Sequence, residues 1–137
     1  MLWVTSASLL ASSGVSALLS PLLFLFPEKI VRTTGALGPT EKFHPIAKRF
    51  LVAFEITAFG LALCGLRSIV RGSAEDRVFW ARLTLLPTGA LAYSMNRFQY
   101  EKGHAMHGKK VAGVVFAGMS LVLLLGGFVF HETAVKR

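Results

Sequence analysis

Residues 1–27, MLWVTSASLLASSGVSALLSPLLFLFP, contain no ionisable side chain, and residues 111–130, VAGVVFAGMSLVLLLGGFVF, form a second uncharged run. As a helix, each is long enough to cross a hydrocarbon layer about 30 Å thick. Between them lie Phe50 to Leu66, interrupted by Glu55 alone, and Val78 to Asn96, interrupted by Arg82 alone. Four apolar segments in 137 residues predict an all-α, integral membrane four-helix bundle. It would be a single domain over 1–137, with helices at about 2–26, 46–71, 74–98 and 110–131.

Composition points the same way. Hydrophobic residues make up 53% of the chain and charged residues 16%, against about 25% charged in an average soluble protein. The mean hydropathy is +0.58, and so few charges cannot coat a soluble globule of this size. The apolar content excludes a disordered tail, and the single Cys64 excludes a disulfide scaffold. Residues 1–27 lack the basic start of a signal peptide and the arginines of a mitochondrial presequence, which predicts a retained helix.

The charges gather in the gaps between apolar segments, as the cost of desolvating them demands. Lys and Arg number nine in the first and third connections, and six in the second connection and the C-terminal tail with Arg82 counted among them. Positive-inside bias therefore predicts both termini on the non-cytoplasmic side. The net charge of +8 is spread over short loops with few aromatic residues between the basic ones. That pattern fits anionic lipid headgroups and not nucleic acid.

Local signals mark the helix ends. His44-Pro45 should open the second helix, since proline lacks an N–H that would be unpaired in a first turn. Gly72 should close it in a left-handed C-cap, and Ser73 should cap the next helix ahead of Glu75 and Asp76. Gly72 and Ser73 then form the whole connection of an antiparallel hairpin. Pro21 and Pro87 are expected to kink their helices.

Ser8, Ser12, Ser16 and Ser20 repeat every four residues and so share one face, with Ala11, Gly14 and Ala17 close by. Small side chains let another backbone approach closely, which predicts a packing surface. A hydroxyl-lined polar path is the alternative, although helical serines satisfy themselves on their own carbonyls. Gly113 and Ala117, and Gly60 and Cys64, repeat the small-residue spacing.

Glu55 is the candidate site residue, an acid about 9 Å along the helix from Arg49 and inside the apolar segment. Counting equal distances from the hairpin turn sets it level with Ala90. Tyr93 is one turn further and should lean back toward it, with Asn96 and Arg97 nearby at the membrane edge. In one reading the carboxyl binds a polar ligand group or relays protons; in the other it hydrogen-bonds Tyr93 or a neighbour of Thr57 and fixes helix packing. Arg82 is expected to snorkel to the interface or to pair with Glu132.

No metal or cofactor is expected. His44, His104, His107 and His131 fall in loops or at helix ends, without the third and fourth ligands that zinc would need. No phosphate loop, HExxH, GxSxG or paired carboxylate is present, and the cluster that opens the second helix of membrane glutathione transferases is missing from Lys48-Arg-Phe-Leu-Val-Ala-Phe-Glu55.

The stretch Phe54-Glu55-Ile-Thr-Ala-Phe-Gly60-Leu-Ala-Leu-Cys-Gly65-Leu resembles the second helix of DoxX-like proteins, small four-helix membrane proteins with a Glu ahead of a Gly-rich apolar run. The resemblance implies an accessory, assembly or small-ligand role, with Glu55 as the position to carry over. The long first connection, with Gly35-Ala-Leu-Gly38-Pro39, departs from that pattern. The expected function is a non-catalytic accessory or assembly subunit of a larger membrane complex. Its partners would be membrane lipids and other membrane subunits or a second copy. The alternative is an intramembrane binder of a lipid, sterol or quinone, or a membrane enzyme, with a site around Glu55 and Tyr93.

Overall fold

The computed structural model describes residues 2–33, 40, 42–102 and 107–130. Regular structure among them is all helical: α1 (Leu2–Leu25), α2 (Pro27–Thr33), α3 (Pro45–Arg71), α4 (Ala74–Lys102) and α5 (His107–Leu124). α5 runs on into one π-helical turn, Leu125–Val129. Two stretches, Trp3–Leu25 and Pro45–Arg71, are long and apolar enough to cross a membrane. α4 does not meet the same measure, with Arg82, Thr84 and Thr88 in its middle, and the apolar part of α5, Gly113–Val129, is shorter.

The short α2 departs from the four-helix expectation. It follows α1 with only Phe26 between them, where the Phe26 N–H donates to Leu22 O at 2.9 Å and the Ile30 N–H donates to Phe26 O at 3.1 Å. Pro27 takes its first position, and Glu28 and Arg32 pair across one turn at 2.9 Å. Residues 34–39, including Gly35 and Gly38, lie outside the described residues.

The turn between α3 and α4 is the two residues Gly72 and Ser73. Ser73 and Asp76 form a reciprocal cap, in which the Ser73 N–H donates to Asp76 Oδ2 at 2.8 Å and the Asp76 N–H donates to Ser73 Oγ at 3.2 Å. At the other end His44 Nδ1 accepts from the Ile46 N–H at 3.3 Å, with Pro45 in the first position. The left-handed cap expected at Gly72 is corrected: its φ is −88° and its ψ 160°. Closeness is what demands glycine, because a Cβ there would lie 2.5 Å from Ser68 O and 2.9 Å from Ser68 Cα.

α1 packs chiefly on α3 and α4 chiefly on α5, while α1 also reaches α4 and α5. The interior is unusually polar. Thr5, Ser8, Ser12, Ser13 and Ser20 are buried on α1, whereas Leu10, Leu18, Leu22, Leu63, Val70 and Leu86 are exposed. Several hydroxyls return to their own helix, Ser12 donating to Ser8 O at 2.9 Å and Thr88 to Thr84 O at 2.8 Å. The serine face thus meets neighbours inside the chain. A Cβ on Gly65 would collide with Ser13 Oγ and come within 3.2 Å of Leu9 Cδ1. One on Gly126 would lie 2.7 Å from Ser8 Oγ and 3.0 Å from Thr5 Cα.

Helix ends at this pole of the molecule are satisfied by side chains from other helices. The last carbonyls of a helix have no partner within it, and here the π-helical turn offers two. The Thr5 hydroxyl donates to Gly126 O at 2.8 Å, and Arg82 Nε donates to Gly127 O at 2.7 Å. Arg82 also lies over the Phe128 ring, 4.8 Å from its centroid. The side chain expected to snorkel thus bonds backbone at the end of α5, and Glu132, the other expected partner, lies outside the described residues. Arg77 caps the end of α3, reaching Ser68 O at 3.3 Å, Gly72 O at 3.4 Å and the Ser6 hydroxyl at 3.3 Å.

Candidate functional site

Each long helix brings one face to a shared cavity of about 280 Å³, at the small end of ligand pockets. Val15, Ser16, Leu19, Ser20 and Leu23 come from α1, spaced by whole turns. Leu51, Glu55, Ala58 and Ala62 follow the same period on α3, and Thr84, Pro87, Thr88 and Leu91 follow it on α4. Ile30 and Val31 of α2 and Phe116 of α5 complete the wall.

The wall is apolar except for one acid and a few hydroxyls. Glu55 is 3% exposed, and the Ser20 side chain lies beside its carboxyl. No Lys, Arg or His is part of the lining, so among the described residues nothing there balances a negative charge on Glu55. Thr88 is satisfied by its own helix, but the buried Thr84 hydroxyl has no hydrogen-bond partner. Leaving a buried hydroxyl unpaired costs about 1–3 kcal/mol.

The expected neighbours of Glu55 divide. Tyr93 is 67% exposed and forms no part of the cavity. Tyr93 is about 200° around α4 from Leu91, at 100° per residue, and so turns away from the cavity that Leu91 lines. Asn96 belongs to a different contact: its Nδ2 donates to Ala92 O at 2.7 Å and to Gly113 O at 3.4 Å, joining α4 to α5. Arg97 is exposed near that end, outside the cavity.

Ser20 and Ser16 of the serine stripe line the cavity, while Ser8 and Ser12 are buried toward the other end of α1. Gly60 and Ala117 are exposed, and nothing lies within 4 Å of a Cβ built on Gly60; within this chain the close approach is made by Gly65. Gly113 is buried. Thr84 and Thr88 were missed as site residues. Their signal is the spacing Thr84, Pro87, Thr88, Leu91, which marks a single helix face carrying polar groups. Among the described residues no three His, Cys, Asp or Glu side chains gather as a metal site. His44 serves as a helix cap, and His104 and His131 lie outside the described residues. No protein-family model, curated protein or solved structure matches the chain.

Proposed function

We propose that this chain is an integral membrane four-helix bundle, crossing with α1, α3, α4 and α5, that binds an amphipathic small molecule in the Glu55 cavity. The observation that carries the reading is a single carboxyl, enclosed by hydroxyls, in an otherwise apolar cavity. An ionisable side chain kept within an apolar helix pays a desolvation cost that a ligand's polar group offsets. A lipid, sterol or quinone has the matching shape, with one hydrogen-bonding end and a hydrocarbon body. The lining holds one titratable side chain, with no histidine, lysine, cysteine or second carboxyl beside it, which favours binding over catalysis.

The membrane setting is supported by the inverted arrangement of side chains. Among the described residues, eight serines and threonines are buried beside Leu9, Val78 and Leu123, while many other leucines and valines face outward, as suits helices that pack through small residues in a medium as apolar as their own surface. The resemblance to DoxX-like proteins makes Glu55 the equivalent of their helix-2 acid. A second reading, as an accessory or assembly subunit, is favoured by Gly60 and Cys64, exposed and four residues apart on α3. Such a stripe suits a helix from another subunit or a second copy.

A photoactivatable, clickable sterol or long-chain alcohol tests the first reading. The wild-type chain in native membranes should be labelled on α1, α3 or α4 around the cavity. Glu55→Gln should reduce labelling by about tenfold, Ala58→Phe should block it by filling the space, and Tyr93→Phe should leave it unchanged. Labelling indifferent to both Glu55→Gln and Ala58→Phe would overturn the assignment. Stoichiometric co-purification of another membrane subunit that persists in Glu55→Gln would favour the second reading.

A further inference from the structure

A second recess, of about 290 Å³, opens between α3 and α4 beside their short turn. Arg67 and Arg71 of α3 and Asp76 and Trp80 of α4 line it, with Cys64 deeper along α3. Its guanidinium groups differ from the others at this pole. Arg77 and Arg82 spend theirs on backbone carbonyls, whereas Arg67 and Arg71 make no hydrogen bond or ion pair among the described residues and are exposed. Being four residues apart, they stand on one face of α3. Asp76 is committed through one oxygen only, Oδ2, which accepts from the Ser73 N–H at 2.8 Å and its hydroxyl at 2.9 Å.

The recess is graded in depth. Arg71 and Asp76 flank the turn, Arg67 lies about 6 Å further along α3, and Trp80 lies about 10 Å along α4 from Ser73 at 1.5 Å per residue. Charge at the rim and an aromatic side chain below follow the layers of a phospholipid, from polar head through phosphate to the top of the acyl chains. Two guanidinium forks suit phosphate oxygens, and tryptophan favours the depth of the membrane–water interface.

We propose that this recess is a binding site for one phospholipid, with Arg67 and Arg71 holding the phosphodiester. Asp76 accepts from a donor on the outer end of the head, and Trp80 lies against the glycerol. The arrangement favours ethanolamine, through its ammonium, or glycerol, through its hydroxyls. Choline is disfavoured because its nitrogen has no N–H for Asp76. The site rests on the membrane reading given above and is separate from the Glu55 cavity.

The test uses the full chain in nanodiscs made from equal parts of phosphatidylcholine, phosphatidylethanolamine and phosphatidylglycerol with identical acyl chains. Native mass spectrometry then reads the lipid retained on release. One ethanolamine or glycerol lipid should be retained over choline by about tenfold, and Arg67→Gln with Arg71→Gln should abolish that preference. Arg67→Lys with Arg71→Lys, which keeps the charge and loses the forks, should retain less than wild type and more than the glutamine pair. Arg49→Gln, at the opposite pole, should match wild type. Equal retention of the three lipids, an unchanged preference in the glutamine pair, or displacement by soluble glycerophosphoethanolamine would each overturn the lipid site while leaving the membrane reading standing. Recovery of the chain from cells in detergent-free buffer would instead overturn the membrane reading.

Discussion

Gly60 and Gly65 lie five residues apart on α3 and have opposite surroundings. A methyl group on Gly65 would meet Ser13 and Leu9, whereas one on Gly60 would meet nothing within 4 Å. Gly65→Ala should therefore cost about 1–3 kcal/mol through overpacking. Gly60→Ala should be neutral or gain up to about 1 kcal/mol from helix propensity. Thermal unfolding in mild detergent, followed by circular dichroism, compares the two, and equal midpoints would contradict the packing described. Sequence spacing pointed to the pair Gly60 and Cys64 because it shows that two positions share a face without showing which way the face turns. That rotation is set by contacts between helices, and the same ignorance separated Tyr93 from the cavity. Glu55 was legible because an acid in an apolar run is costly wherever the helix is turned.

The helices themselves were easier to read than their rotations, because caps are local chemistry. His44, Pro45, Gly72 and Ser73 bound α3 and α4 with partners no more than four residues away. α2 escaped notice because its signals, Pro27 in first position and the Glu28–Arg32 pair, are embedded in a stretch whose charges read as a connection. The π-helical turn was illegible for a further reason: it depends on donors from Thr5 and Arg82, distant in sequence. Arg82→Met should leave Gly127 O without its donor and forfeit the contact with Phe128. A loss of about 1–3 kcal/mol follows from the unpaired carbonyl. Arg67→Met, which breaks no bond within the chain, should stay within about 0.5 kcal/mol. Chemical or thermal unfolding of the two variants in the same detergent checks the contrast, and equal losses would argue against the arginine–backbone bond.

Across the whole molecule, α1 and α4 run one way and α3 and α5 the other, as the pairings of Ser13 with Gly65, Thr5 with Gly126 and Asn96 with Gly113 require. If those four helices cross a bilayer, Thr40 and Ser73 face opposite compartments. In a Cys64→Ser background, Ser73→Cys on intact cells should react with a membrane-impermeant maleimide, and Thr40→Cys should react only after permeabilisation. Labelling of both from one side would remove α3 as a crossing. The bond from Thr5 to Gly126 has a consequence for biosynthesis. Its partners are separated by 121 positions, so the hydroxyl-rich flank of α1 waits for the synthesis of the π-helical turn before its inventory of contacts is complete. A stalled or shortened product would present that flank naked to the insertion machinery, where quality-control proteases could tell it from the finished article.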